Sequence, residues 1–120
     1  MRRTVVLLHK RHGFPDHFDW LIDQPDLNAE HRLITFRVVD RPDLCGSFTA
    51  QKSPDHRAIY LDYEGELSGG RGEVSRVAEG RVMHLSRGAD ELRATVKWDG
   101  CMRTYIAHCQ DGVWLFASAD

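Results

Sequence analysis

The hydrophobic positions of this chain mostly recur every second residue, which is typical of β-strands and not of amphipathic helices. The pattern is clearest after His17, where Phe18, Trp20 and Ile22 face one way while Asp19 and its alternate neighbours face the other. We expect strands over 4–8, 18–23, 33–39, 92–98, 102–109 and 113–117, with shorter strands at 59–64, 73–77 and 81–85 separated by glycines. One helical turn is expected near 26–30.

Two Asp-Gly pairs, at 99–100 and 111–112, stand between alternating runs and predict tight hairpins, because both residues tolerate positive φ. About eight short, mostly antiparallel strands with little helix predict an all-β fold, either a barrel or a sandwich. A length of 120 residues suits one compact domain, residues 1–120. Such a domain buries roughly two-thirds of its unfolded surface.

Composition and charge narrow the function classes. The net charge of −2 disfavours a protein that coats nucleic acid non-specifically, but it permits an enzyme that contacts a nucleic acid at one small site. The apolar run at 4–8 is too short to span a bilayer, and no signal peptide is recognisable. Three cysteines without a CxxC spacing disfavour a disulfide framework or a zinc knuckle. We therefore expect a cytoplasmic protein with reduced thiols and no membrane partner.

The densest polar cluster spans residues 9–19. His17 and Asp19 are two apart on an expected strand, so their side chains share one face, directed either to solvent or to a polar barrel interior. An imidazole beside a carboxylate can bind a divalent transition metal such as Mn²⁺ or Zn²⁺. A third ligand could come from His9, if the first two strands pair as a hairpin, or from His12 in the loop. The alternative is a set of surface histidines on a polar loop.

A second cluster begins at His56, which we expect just before a strand. This histidine could donate to a phosphate oxygen or act as a general acid. Arg57 would add a fixed charge, Tyr60 a hydroxyl donor, and Glu64 could orient a neighbour. The alternative is a capped turn with a structural histidine.

A third cluster is the glycine-rich segment 68–72 around Arg71, where glycines permit close backbone approach to an anion. The alternative there is a flexible turn. Three aromatic residues, Trp98, Tyr105 and Trp114, are expected in the core, with a base-stacking surface as the alternative.

In this order, the clusters resemble the 3′-phosphoesterase domain of bacterial DNA ligase D, also called the DNA polymerase ligase N-terminal domain, over nearly the whole chain. That family has a strand ending in histidine, then a His-aromatic-Asp strand, a Ser/Thr-aromatic strand, an Asp-His element and a glycine-rich segment. The matching elements here are Val5–His9, His17–Trp20, Thr35–Val38, Asp55–His56 with Tyr60 and Glu64–Gly65 at the family's spacing, and Gly69–Val74.

The resemblance implies a compact β-barrel with a polar crescent cavity. By position, His9, His17 and Asp19 would bind Mn²⁺, with Zn²⁺ or Co²⁺ as alternatives, and His56 and Tyr60 would contact the scissile phosphate. The implied activity is DNA repair by 3′-end processing: a metal-dependent hydrolase removes a 3′-terminal ribonucleoside and then the 3′-phosphate, leaving a 3′-hydroxyl. The chain carries no ligase or polymerase module and would be a stand-alone version.

Two departures from the family pattern change the expected site. The family spaces its two metal histidines six apart, whereas His9 and His17 are eight apart and His12 and His17 are five apart. We favour His9 because it ends a strand. The family also has an arginine where this chain has Leu21, and Arg37, Arg57 or Arg71 would have to reach the phosphate instead.

Three functional hypotheses follow. The first is a phosphoesterase that acts on nucleic-acid 3′ ends, as a monomer, with a repair ligase or polymerase as a candidate partner. The second is a module that binds nucleic-acid ends or a repair partner without turnover, with Leu21 marking lost catalysis. The third is a phosphoesterase for small nucleotides, because the chain lacks an obvious basic track for duplex DNA.

Overall fold

The computed structural model describes residues 2–119 and shows a closed barrel of eight antiparallel strands with one additional strand. The all-β prediction is confirmed, with the barrel form of the two alternatives. Two short 3₁₀ helices, Ala58–Leu61 and Ser68–Gly70, interrupt the strands. The strands are β1 (Arg2–Lys10), β2 (His17–Asp23), β3 (Leu33–Val38), β4 (Phe48–His56), β5 (Gly65–Glu66), β6 (Glu73–Arg87), β7 (Glu91–Trp98), β8 (Cys101–Gln110) and β9 (Val113–Ser118).

The barrel closes because β6 pairs with β1 at the end of the order β1-β2-β3-β4-β9-β8-β7-β6. β5 lies outside this ring and pairs only with β6. Both Asp-Gly hairpins form as expected, and at the second Asp111 and Gly112 adopt φ of 53° and 80°. Within residues 2–119, neither 3₁₀ helix approaches the length and apolarity that a membrane span requires.

Alternate residues of β1, β2 and β3 fill the barrel interior, where Trp20 is fully buried at the centre. Its ring centroid lies 5.1 Å from that of Tyr105 and 6.3 Å from that of Trp98. Trp114 packs against Phe36 in the same cluster. The three aromatic residues expected in the core are therefore there, and they form no base-stacking surface.

Two expected elements differ in the structure. The strand expected at 59–64 is wrong: a 3₁₀ helix buries Leu61 and then ends in turns. The two strands expected at 73–77 and 81–85 are one strand, β6, which runs through Gly80. This glycine does not end the strand but makes room for an aromatic ring, since a Cβ there would lie 2.8 Å from Trp98.

Two further expectations fail nearby. Residues 26–30 form turns and bends, so the expected helical turn is wrong. His56 does not precede a strand but ends one, β4, which the sequence pattern did not predict. Pro54 argued against a strand in this segment, because a proline cannot donate a hydrogen bond to a neighbouring strand. It is accommodated at a register shift, where Ser53 pairs with Thr35 but His56 pairs with Leu33.

The chain between β4 and β6 must cross the outer face of β1, β2 and β3, since β6 lies on the far side of β1. We call residues 57–72 the crossover. Leu61 of the crossover packs into an outer apolar cluster with Val5, Leu7, Leu21, Leu33 and Val74. Arg3 also donates hydrogen bonds to Asp62, 2.9 Å away, and to Glu79, and lowers the pKa of Asp62. These ion pairs are exposed, so apolar burial contributes most of the attachment.

Candidate metal and phosphate site

The β1–β2 hairpin places the first cluster. Its register sets His9 directly opposite His17, and Leu7 opposite Asp19. Because side chains alternate along a strand, His9, His17 and Asp19 all project from the same outer face as Leu7. The cluster therefore faces neither open solvent nor the barrel interior: it lies on the outside of the barrel at the edge of the crossover.

The three side chains meet closely. His9 Nδ1 lies 3.2 Å from His17 Nε2 and 3.5 Å from Asp19 Oδ2, and His17 Nε2 lies 3.2 Å from Asp19 Oδ1. Asp19 is only 7% exposed, so its carboxylate is largely removed from water. Three ligands about 2.1 Å from one metal ion stand about 3.0–3.5 Å apart in adjacent positions. The observed separations fit such an ion.

A hydrogen bond to the crossover determines which ring nitrogen of His9 carries the proton. His9 Nε2 lies 2.7 Å from the Arg71 carbonyl oxygen, which can only accept. Nε2 therefore carries the proton, and in the neutral ring the lone pair of Nδ1 points at His17 and Asp19. Metal-ligating histidines commonly donate their second ring nitrogen to a carbonyl in this way. The donor set suits a transition metal such as Mn²⁺, Zn²⁺ or Co²⁺ and leaves coordination positions for a substrate.

The structure places His12 elsewhere. His12 is exposed in the β1–β2 loop and lines a different depression, together with Lys10, Asp16 and Glu73. Of the two histidines proposed as third ligand, His9 is the one that the fold brings to His17 and Asp19.

A cavity of about 360 Å³ opens between the cluster and the crossover, and we call it the crossover cavity. The second and third sequence clusters converge on it. Its lining includes His9, Asp19, His31, His56, Arg57, Tyr60 and Arg71. His31 is a lining residue that sequence reasoning missed, since it stands in an irregular loop with no periodic pattern to mark it.

Each crossover-cavity residue has a defined setting. His56 Nδ1 donates to the Pro54 carbonyl at 2.8 Å, so Nε2 is the ring atom that can exchange a proton. Tyr60 lies beside it, with ring centroids 5.8 Å apart. Arg57 stands 3.5 Å from the Tyr60 hydroxyl, and this contact raises the pKa of Arg57.

The cavity also carries two guanidinium groups, those of Arg57 and Arg71, alongside the Asp19 and Asp55 carboxylates. Among residues 2–119, neither Arg57 nor Arg71 forms an ion pair, in contrast to Arg3, Arg32 and Arg41. The Arg71 guanidinium donates to the Ser68 carbonyl and hydroxyl, which fixes its position without cancelling its charge. Two such guanidinium groups, beside the candidate metal-ligand cluster of His9, His17 and Asp19, are suited to bind a phosphoryl group.

Two other proposed residues act elsewhere. Arg37 pairs in register with Asp19 but is exposed and lines a second depression, on the hairpin side of the cluster. Glu64 does not orient a cavity side chain: its carboxylate accepts the backbone N–H of Arg76 at 2.7 Å and so ties the crossover to β6.

Leu21 shares the strand face of Asp19, as expected, yet it is fully buried beneath the crossover. The site thus has no room for a cation at this position. Its positive charge comes instead from the crossover, through Arg57 and Arg71.

Gly72 lets the crossover approach the end of β1. Its φ is +93°, and a Cβ at this position would lie 2.0 Å from the Lys10 carbonyl oxygen. The glycine-rich segment therefore permits close approach to a neighbouring strand, and this approach brings the Arg71 carbonyl to His9.

Replacing Gly72 with alanine is expected to lower the melting temperature and to weaken Mn²⁺ binding, because the crossover must move away from His9. Gly70→Ala is the matched control, since Gly70 also has positive φ, +67°, but a Cβ there meets nothing within 4 Å. The control should lose only about 1 kcal/mol of stability. Thermal unfolding with and without Mn²⁺ measures both effects, and equal losses in the two variants would contradict the close-approach argument.

Comparison of the chain with models of known protein families, and with curated protein sequences, finds no match.

Proposed function

We propose that this protein is a metal-dependent phosphoesterase that processes nucleic-acid 3′ ends. The observation that carries the proposal is the convergence of three separate sequence clusters on one side of the barrel. A His-His-Asp group with metal-ligand spacing adjoins a cavity that contains two arginines, a histidine and a tyrosine. The order of these clusters resembles that of the DNA ligase D phosphoesterase domain, which adds support from the sequence.

Each residue of the site has a separate role in the proposed hydrolysis. A divalent metal held by His9, His17 and Asp19 would polarise the phosphoryl oxygens and offset their charge. Arg57 and Arg71 bind the oxygens of the phosphoryl group and favour the charge that develops in the transition state. As water attacks phosphorus, the bond to the leaving oxygen breaks, which is O3′ for a 3′-phosphate and O5′ for a terminal ribonucleoside. His56, protonated on both ring nitrogens, donates its Nε2 proton to that oxygen, and the proton of the attacking water passes to solvent. The Tyr60 hydroxyl donates a hydrogen bond to the phosphoryl group and so orients it.

Turnover of a duplex with a recessed 3′-phosphate tests this proposal, with a second duplex that ends in a 3′-ribonucleotide. We expect Mn²⁺-dependent release of phosphate from the first duplex, leaving a 3′-hydroxyl. From the second we expect release of the ribonucleoside, leaving a 3′-phosphate that is then removed. A chelator should prevent both releases. If the protein binds both duplexes and Mn²⁺ but releases nothing, the enzyme hypothesis is wrong and the end-binding module replaces it.

A second substrate class is favoured by the size of the cavity and the charge of the chain. A cavity of about 360 Å³ is in the size range of small-molecule sites, and the net charge of −2 provides little attraction for long duplexes. A 3′-phosphorylated mononucleotide in the same assay separates the two classes. If its kcat/KM exceeds that of the duplexes, small nucleotides are the substrate.

A further inference from the structure

Two exposed apolar side chains flank the metal-ligand cluster on the side opposite the crossover cavity. Phe14 is 57% exposed and Val39 is 77% exposed. With His9, His17 and Arg37 they line a depression of about 320 Å³, which we call the hairpin depression. His9 also lines the crossover cavity, so the cluster stands where the two concave surfaces meet.

The β1–β2 loop holds Phe14 in place. The Phe14 backbone N–H donates to the Arg11 carbonyl at 3.0 Å and closes a turn, and Gly13 within that turn has a φ of 84°. The Arg11 guanidinium carbon lies 4.4 Å from the Phe14 ring centroid, a cation–π contact. An aromatic ring that is held in this way yet mostly exposed loses little freedom when a ligand packs on it.

The chemistry of the depression indicates its occupant. Its surface combines an aromatic ring and aliphatic groups with two cations, Arg11 and Arg37, and one carboxylate, Asp16. A planar, weakly polar ring attached to an anionic group complements this combination, and a nucleotide has both parts. An apolar peptide would offer Arg37 no anionic partner.

We propose that Phe14 is a stacking platform for the nucleobase of the nucleotide whose phosphoryl group is bound at His9, His17 and Asp19. The inference rests on the proposed function and extends it: the substrate must carry a base, and Arg37 contacts the phosphate on the 5′ side of that nucleotide. Stacking accepts every base because each has a π-face, so the site discriminates little among the four bases.

The test compares two 3′-phosphorylated duplexes in the presence of Mn²⁺, one ending in a normal nucleotide and one ending in an abasic nucleotide. We expect the wild-type protein to prefer the base-bearing end about tenfold in kcat/KM, a typical effect of one stacked base. Phe14→Ala should lose this preference and leave turnover of the abasic end unchanged, whereas Phe14→Trp should keep it. Met102→Ala, at an equally exposed position on β8, is the control and should change neither.

A binding signal checks the same contact without turnover. With 2-aminopurine as the terminal base, stacking should quench its fluorescence in the wild type and in Phe14→Trp, but not in Phe14→Ala. Equal turnover of both ends by the wild type, or equal slowing of both ends by Phe14→Ala, would overturn the stacking inference while the phosphoesterase proposal stands. Failure of the wild type to process either end would overturn both.

Discussion

Replacing His17 with alanine is expected to lower kcat/KM for a 3′-phosphorylated end at least about 100-fold, since losing only an outer-shell partner of a metal ligand costs 10–100-fold. His17 Nε2 is the atom closest to both other members of the cluster, 3.2 Å from His9 Nδ1 and 3.2 Å from Asp19 Oδ1. Without it two ligands remain, which is too few for a stable site. Mn²⁺ affinity, measured by calorimetry, should fall with the activity.

His12→Ala is the matched control, because His12 lies in the loop between the strands of His9 and His17 and was the competing ligand, yet it lines another depression. We expect His12→Ala to keep wild-type Mn²⁺ affinity and His9→Ala to lose it. If His12→Ala loses affinity and His9→Ala does not, the loop rearranges around the metal and the ligand assignment is wrong. If all three variants retain full turnover, the reaction does not use this cluster.

The sequence was sufficient to predict that His9, His17 and Asp19 lie close together, because the evidence for their proximity is local. Period-two alternation in β2 put His17 and Asp19 on one face, and a hairpin between consecutive strands brought His9 to them. Neighbouring strands joined by one loop have few other ways to pair. Both Asp-Gly turns succeeded for the same reason, since their backbone preference is contained in two residues.

The crossover could not be predicted, because it depends on partners far along the chain. Residues 59–64 alternate like a strand, but Leu61, with Tyr60 and Tyr63 beside it, packs onto the outer face of β1–β3 instead of joining the sheet. Nothing local indicates that β6 returns to pair with β1 and so forces the chain across that face. The convergence of His56, Arg57 and Arg71 on the cluster is a consequence of this long-range topology.

Gly72 and Gly80 illustrate the same limit. Both looked like breaks or flexible positions, yet each marks a close approach. One meets the Lys10 carbonyl and the other meets the Trp98 ring. A glycine in the sequence shows that a side chain is absent, while the neighbour that requires its absence is known only from the fold.

Replacing Leu21 with arginine is expected to destabilise the barrel by at least about 3 kcal/mol and not to raise activity, because it places an unpaired charge in an apolar cluster. Leu21 is fully buried among Val5, Leu7, Leu33 and Leu61. The crossover would have to lift off to hydrate the guanidinium, and it would carry Arg57 and Arg71 away from the cluster. Urea unfolding measures the first effect and phosphate release the second.

The control is the same substitution at an exposed leucine of β9, Leu115→Arg. It should lower the free energy of unfolding by less than about 0.5 kcal/mol and leave turnover intact. Leu21→Met, which conserves volume, should cost less than about 1.5 kcal/mol. If Leu21→Arg instead folds with wild-type stability and gains turnover, the arginine has reached the phosphate from β2, as the resemblance to the DNA ligase D family implies. In that case the crossover moves away from β2 to admit the arginine. The burial of Leu21 would then no longer explain why Arg57 and Arg71 must supply the positive charge. If Leu21→Arg is destabilised and inactive while Leu21→Met is neither, the position of the two crossover arginines depends on the burial of Leu21. The apolar contacts of Leu21 then hold the crossover in the position where Arg57 and Arg71 face the metal-ligand cluster.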